Sequence, residues 1–143
     1  MSTESKKPIR NLPLIYSCSG CSSAAQLANH LAIRMDREGI AEMSCIAGVG
    51  GDVPSLVRVA KSGRPIVAID GCALRCAQSC LKRHGVTPSL HFTLSDFEIK
   101  KTFHQDFSSE DATKVLLEVK PQIENLSTTQ GADKKKPPIN EEP

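Results

Sequence analysis

The sequence predicts a three-layer α/β fold, in which a mostly parallel four-stranded sheet carries helices on both faces, as in Rossmann-like domains. Two patterns support this prediction. Short apolar runs alternate four times with segments whose apolar residues recur at helical spacing, and the links between them are short. One run, Pro65–Ile69, is continuously apolar, which is typical of a parallel strand buried on both faces. The right-handed crossover rule then restricts the connections.

The first strand and helix follow one another directly. The strand is predicted at Pro13–Ser17, and the helix starts at a cap formed by Ser22 or Ser23 and ends at Gly39. The residues expected to form its apolar face are Ala24, Leu27, Ala28, Leu31 and Met35.

The middle of the chain repeats this order twice. A second strand is predicted at Ala41–Ala47, followed by a glycine loop over Gly48–Gly51 and a helix capped by Asp52. The loop lacks the third glycine of a dinucleotide fingerprint and the lysine of a P-loop, so it does not predict a nucleotide site. After the Pro65–Ile69 strand, a third helix is predicted from Cys72 to His84.

The last strand–helix unit contains a longer irregular link. A strand is predicted near Leu90–Leu94, an irregular segment at Ser95–Phe107, and a final helix capped by Ser108 or Ser109. Residues 12–123 are therefore expected to form one α/β domain. Residues 1–11 are expected to be flexible, and residues 124–143, which are rich in Pro, Lys and Glu, to form a disordered tail.

Composition narrows the classes of protein. A chain of 143 residues is long enough for one core without disulfides. No secretory signal and no apolar stretch of the ~20 residues that a membrane span requires is present, so a cytoplasmic location and no membrane contact are expected. With one Tyr, four Phe, no Trp and a net charge of +2, the sequence offers little support for nucleic-acid binding. Nothing in it indicates a protein partner or a homo-oligomer.

Five of the six cysteines lie at or just beyond the end of a predicted strand. Cys18 and Cys21 follow the first strand, Cys45 lies in the second, and Cys72 and Cys76 follow the third. Because the carboxyl ends of parallel strands share one edge of a sheet, where α/β proteins build their sites, these thiols are expected to meet. The sequence therefore predicts one shared thiol site.

Two kinds of chemistry fit such a site. Thiolates hold zinc at ~2.3 Å, and four sulfurs are typical of structural zinc; an iron–sulfur cluster accepts the same ligands, so the residues alone do not decide between the two. The alternative is a thiol oxidoreductase or sulfur-transfer enzyme, with Cys18 as nucleophile and Cys21 as resolving thiol. A helix N-terminus directly after this pair would lower the pKa of Cys18. Whether the protein is an enzyme stays open.

The remaining polar residues carry weaker expectations. Asp70 is expected to cap the third helix, and Arg75 to lie exposed on that helix. His91 is expected on the surface of the fourth strand. His104, in the irregular segment, is the one histidine considered for the site, and Cys80 is expected in the core.

Several segments resemble a known family. They are Tyr16-Ser-Cys-Ser-Gly-Cys-Ser-Ser, Gln26-Leu-Ala-Asn, Met43-Ser-Cys-Ile-Ala-Gly-Val-Gly and Ile69-Asp-Gly-Cys. Together they resemble the DGC-domain family, which is named after the motif that stands here as Asp70-Gly71-Cys72. The resemblance spans roughly Leu14 to Phe107.

The resemblance implies a zinc-binding domain with four chelating cysteines and no assigned reaction. By position, the implied ligands are Cys18, Cys45, Cys72 and Cys76, whereas Cys21 is not one of the four. The resemblance thus favours zinc and makes an iron–sulfur cluster the less favoured cofactor. It differs from the residue pattern over Cys21, and the expected metal-ligand candidates are the five strand-end cysteines together.

Overall fold

The computed structural model describes residues 11–132, and the side chains of residues 11–126. Ten elements follow one another in these residues. The strands are β1 (Leu14–Ser17), β2 (Glu42–Met43), β3 (Ile66–Asp70) and β4 (Leu90–Thr93). The helices are α1 (Ser23–Arg37), α2 (Ile46–Gly50), α3 (Pro54–Ala60), α4 (Cys76–Lys82) and α5 (Ser109–Ala132), with a 3₁₀ helix at Leu94–Phe97. Residues 1–10 and 133–143, which hold most of the predicted flexible ends, lie outside the described residues.

The four strands form one sheet in which every pair is parallel, in the order β2-β1-β3-β4. The chain therefore moves from β1 to one side to form β2, and then crosses β1 to form β3 on the other side. The point between β1 and β3, where the direction reverses, is the topological switch point, and open α/β sheets bind their ligands there.

Two apolar clusters occupy opposite faces of this sheet, because successive strand residues point to opposite sides. One cluster joins Ile15, Val67 and Ile69 to α1 and α5. The other joins Tyr16, Ala68 and their same-face neighbours to side chains of α2, α3 and α4. The predicted α/β fold with a parallel four-stranded sheet is confirmed.

The start and end of α1 follow local rules that the sequence displays. Ser22 is the N-cap, and its Oγ accepts a hydrogen bond from the Ala25 N–H at 3.1 Å. Gly39, the residue after the C-cap Glu38, adopts φ 73°, a conformation that side chains disfavour. Both predicted boundaries are confirmed, and they fix the helix that borders the β1 loop.

The second strand and the glycine loop differ from the prediction. β2 has only two residues, and the chain then forms the short helix α2, so Gly48 and Gly50 are helical. These glycines serve packing: a side chain at Gly48 would overlap Leu56, and one at Gly50 would lie 2.8 Å from the Cys80 sulfur. Asp52 does not cap the next helix, because its carboxylate pairs with Arg83 at 2.8 Å.

The third and last helices have different boundaries from those predicted. α4 begins at Cys76 rather than Cys72, because Arg75 adopts a left-handed conformation (φ 51°) that interrupts the helix. The cap of the last helix is as predicted, since Ser108 Oγ accepts from the Asp111 N–H at 3.0 Å. α5 runs on to Ala132, past residue 123, and Ile123 is buried. No helix within residues 11–132 is both long and apolar enough to cross a membrane.

A candidate thiol site at the switch point of the sheet

A cavity of about 210 Å³ opens at the switch point, between the loop after β1 and the loop after β3. The first loop contributes Cys18 and Cys21 to its lining, and the second contributes Cys72 and Cys76. Two cysteine pairs that are far apart in the sequence therefore face one space. The order of the strands causes this meeting, because β1 and β3 are direct neighbours.

The β1 loop (Cys18–Cys21) forms the first wall. Its backbone continues the pairing of β1 with β3, since the Cys18 N–H donates to the Ile69 carbonyl at 3.1 Å. Further on, the Gln26 side-chain amide donates to the Gly20 carbonyl at 2.6 Å. Cys18 is half-buried and Cys21 is exposed. This wall thus offers one fixed thiol and one that is open to solvent.

The β3 loop (Gly71–Cys76) forms the second wall and touches the first. The Gly71 N–H donates to the Cys18 sulfur at 3.2 Å. A Cβ at Gly71 would lie 2.7–2.8 Å from backbone atoms of Ala24 and Ala25, so only glycine allows this loop to pack against the first turn of α1. The second wall also carries one half-buried thiol, Cys72, and one exposed thiol, Cys76.

A buried carboxylate holds the second wall in place. Asp70 is fully buried, and its two oxygens accept hydrogen bonds from the Ala77 N–H at 2.7 Å and the Gln78 N–H at 3.1 Å. The expectation that Asp70 caps the third helix is confirmed, although the carboxylate reaches over the whole loop to do so. The loop between Asp70 and the residues it caps contains Cys72 and Cys76. The cap therefore fixes the backbone that carries both thiols.

His91 completes this arrangement, which the sequence did not reveal. Its Nε2 lies 2.8 Å from the second Asp70 oxygen, and its Nδ1 lies 3.3 Å from the Gln78 side-chain amide. The expected surface position of His91 is wrong, because β4 pairs with β3 and brings this side chain over Asp70. The available signal was Asp70 itself, since a buried carboxylate at the end of an apolar strand requires donors.

The pKa of Cys18 is raised to about 11. Burial is the main cause; the negative groups at Asp70, Cys76 and Cys72 add to it, and the Gly71 N–H opposes it. The expectation that a helix N-terminus lowers this pKa is wrong. α1 starts only after Ser22, whose hydroxyl accepts a hydrogen bond from an amide of the first turn. Cys18 lies outside that turn. The influence of Cys72 and Cys76 on Cys18 also reflects how close the two walls are.

A segment of the irregular link, Lys101–Phe103, runs along the rim of the cavity, and we call it the strap. Lys101 Nζ lies 3.4 Å from the Cys72 sulfur and 5.4 Å from the centre of the Phe103 ring. Three hydrogen bonds tie Thr102 to Ser23 at the start of α1, at 2.8, 2.8 and 3.0 Å. The strap therefore holds a positive charge and an aromatic ring beside the thiols.

Three of the residues considered from the sequence do not line this cavity. Cys45 is exposed at the start of α2, after the edge strand β2, on the far side of β1 from β3. Cys80 packs against Gly50. His104 is exposed beyond the strap.

The donor set suits a soft metal ion, since four sulfurs and no carboxylate face the cavity. Within residues 11–132, however, no three His, Cys, Asp or Glu side chains already stand in an arrangement that could hold a metal. The chemistry of the residues fits zinc, and their present side-chain positions do not complete its shell.

Comparison with known proteins places the chain in a family. The family model of the DGC domain matches residues 14–119, which include every element from β1 into α5 and all four lining cysteines. The chain belongs to the DGC-domain family.

The chain is also similar to a DGC-domain protein of Pseudomonas aeruginosa, the anaerobic and virulence modulator AnvM. The two are 57% identical over 126 residues, which cover 88% of this chain and 93% of AnvM. No solved structure matches the chain.

Proposed function

We propose that this DGC-domain protein binds one metal ion, zinc before iron–sulfur, through the thiolates of Cys18, Cys21, Cys72 and Cys76. One observation carries the proposal: two cysteine pairs from distant parts of the sequence line the same cavity at the switch point of the sheet. Thiols that served only as small apolar residues would be buried in the core, whereas these four border an opening.

We expect metal binding to involve rotation of the cysteine side chains. The half-buried thiols of Cys18 and Cys72 already have polar partners, the Gly71 N–H and the Lys101 ammonium. Cys21 and Cys76 are exposed, and each turns between staggered rotamers about a single bond. We expect the metal ion to draw these two thiols inward and to complete a tetrahedral shell around itself.

The electrostatics of the cavity favour a cation. The pKa of Cys18 is raised in part because negative groups crowd around it. A divalent ion reverses this effect, because it stabilises the thiolates and releases their protons. Lys101 offsets part of the charge that remains when four thiolates share one ion of charge +2. Amide donors to sulfur, such as Gly71, are a common way to tune metal thiolates.

The proposed role is an accessory one, in metal handling or in sensing. The name of AnvM describes a modulator that is connected with anaerobic conditions and virulence. Thiolate–metal sites change with the redox state of their surroundings, since oxidised thiols release the ion. A modulator whose metal content follows oxygen exposure joins these two points.

The thiol oxidoreductase alternative has less support. An attacking thiol needs a pKa near ambient pH, whereas that of Cys18 is about 11 without metal. The exposed Cys21 is the more accessible sulfur of the pair, but the loop gives it no partner that would mark it as a nucleophile among the described residues.

The test is metal content on the full chain, purified anaerobically without chelators, with free thiols counted on the same sample. We expect about one zinc per chain, and a strong loss of zinc in each of four serine variants, at Cys18, Cys21, Cys72 and Cys76. Cys80→Ser is the matched control and should keep its metal. Wild-type protein without zinc that also fails to take up added zinc would contradict the proposal.

The same series decides between Cys21 and Cys45 as the fourth ligand. The lining of the cavity favours Cys21, whereas the family resemblance implies Cys45. We expect Cys45→Ser to retain zinc and Cys21→Ser to lose it. The reverse result would mean that the β2 end moves toward the cavity when metal binds.

A further inference from the structure

The cavity at the switch point is much larger than a metal ion requires. Its volume of about 210 Å³ equals the share of about seven liquid waters, at ~30 Å³ each. It is also smaller than the ~300 Å³ at which drug-sized sites begin. Its size suits a small organic molecule in addition to the ion.

An anion finds a partner at one point of this cavity, the Lys101 ammonium. Lys101 is the only charged side chain among the described lining residues, and no carboxylate faces the space. An ammonium has three N–H donors, of which one points to the Cys72 sulfur. Within the described residues Lys101 has no carboxylate partner, in contrast to Lys120 and Arg83, which pair with Glu38 and Asp52.

The remaining lining selects an apolar body. Leu74 is 71% exposed and Phe103 is 53% exposed, and both border this cavity. Large apolar side chains that remain in water beside a cavity are typical of a ligand site. The bonds between Thr102 and Ser23 fix the backbone of the strap between Lys101 and Phe103, which lowers the cost of ordering this segment around a ligand.

We propose that this cavity binds a short-chain carboxylate, with the carboxylate on the Lys101 ammonium and the hydrocarbon chain between Leu74 and Phe103. The proposal rests on the proposed function, because the ligand would lie against the metal ion held by the four thiols. The protein would then report on a small organic acid as well as on its metal.

The test is a titration of the zinc-loaded full chain with hexanoate. Binding is measured by calorimetry and by changes in the chemical shifts of the β1 loop, the β3 loop and the strap. Hexanamide, which has the same chain but no charge, is the matched probe. We expect hexanoate to bind and hexanamide to bind at least about tenfold more weakly, because one charge-assisted hydrogen bond is lost.

Lys101→Met should lower the affinity for hexanoate by at least about tenfold and leave the affinity for hexanamide unchanged. Lys100→Met is the control, since Lys100 is exposed and does not line the cavity. This variant should bind hexanoate as tightly as the wild type does. No shift with hexanoate, equal binding of both probes, or full binding by Lys101→Met would overturn the inference.

Zinc content measured on each sample separates the two proposals. Zinc without hexanoate binding contradicts the carboxylate site alone. If the chain takes up no zinc but binds hexanoate in a way that needs Lys101, the carboxylate site is supported and the metal-binding proposal is contradicted. Inorganic phosphate that binds as tightly as hexanoate would show a bare charge effect and would also overturn the inference.

Discussion

The two walls of the thiol cavity carry the same chemistry on different supports. Each wall has one half-buried thiol, Cys18 or Cys72, and one exposed thiol, Cys21 or Cys76. The β1 loop is held by backbone pairing to β3 and lies beside a helix that is capped by its own neighbour, Ser22. These supports lie close by along the chain or in the sheet itself.

The β3 loop depends instead on one side chain. Asp70 caps α4 across the loop, and its other contact comes from His91 on β4. Gly71 adds a close approach to the backbone of α1. A wall that depends on one buried carboxylate is easily disturbed, whereas a wall held by backbone pairing tolerates side-chain changes. The motif Asp70-Gly71-Cys72 lies on this second wall.

The largest effect is expected from Asp70→Asn. The asparagine amide cannot accept from two backbone N–H groups and from His91 as the carboxylate does, so buried donors lose their acceptor. We expect a loss of about 2–4 kcal/mol in the free energy of unfolding, measured with denaturant. Asp52→Asn, on an exposed carboxylate paired with Arg83, is the control and should leave the unfolding midpoint nearly unchanged. If the two variants lost equal free energy of unfolding, the claim that Asp70 holds the second wall in place would be contradicted.

A smaller effect is expected from Gly71→Ala. The added Cβ meets backbone atoms of Ala24 and Ala25, which cannot rotate away, so overpacking should cost about 1–3 kcal/mol. The same change on the other wall, Gly20→Ala, meets only the Ala25 Cβ at 3.6 Å and should stay within about 0.5 kcal/mol. Zinc affinity should fall for Gly71→Ala alone. If Gly20→Ala were the more harmful change, the comparison between the walls would be reversed.

The smallest effect concerns the pH dependence of the metal-free protein. The pKa of Cys18 is raised from 9.0 to about 11, so the folded chain holds this proton more tightly than the unfolded chain does. The stabilisation is therefore complete below about pH 9 and is lost as pH rises toward about 11. Denaturant midpoints measured from pH 8 to 11 should fall less steeply in Cys18→Ser than in the wild type. An identical decline in both proteins would contradict the burial of this thiol.

The features that were predictable from the sequence are those set by local pattern. The apolar run at β3, the Ser22 cap and the end of α1 at Gly39 follow from residue types along a short stretch. The helical glycines of α2 do not follow from such a pattern, because Gly48 is required by the close approach of Leu56. The late start of α4 does not either, because Arg75 adopts a rare backbone conformation. Both depend on packing that a linear pattern does not contain.

The candidate site shows the same division. That thiols at strand ends would share an edge follows from parallel strands in general. Which of them meet depends on strand order: β1 beside β3 joins Cys18 and Cys21 to Cys72 and Cys76, and leaves Cys45 beyond β2. Strand order is a long-range property, as is the pairing of β4 with β3 that brings His91 to Asp70.

The central claim is that both walls hold a single metal ion, and zinc X-ray absorption on the full chain tests it most directly. The account predicts about four sulfurs at ~2.3 Å from the zinc in the wild type. It also predicts that Cys21→Ser changes this shell and that Cys45→Ser leaves it intact. A wild-type shell with two or fewer sulfurs would mean that the walls do not share the ion, and would contradict the claim.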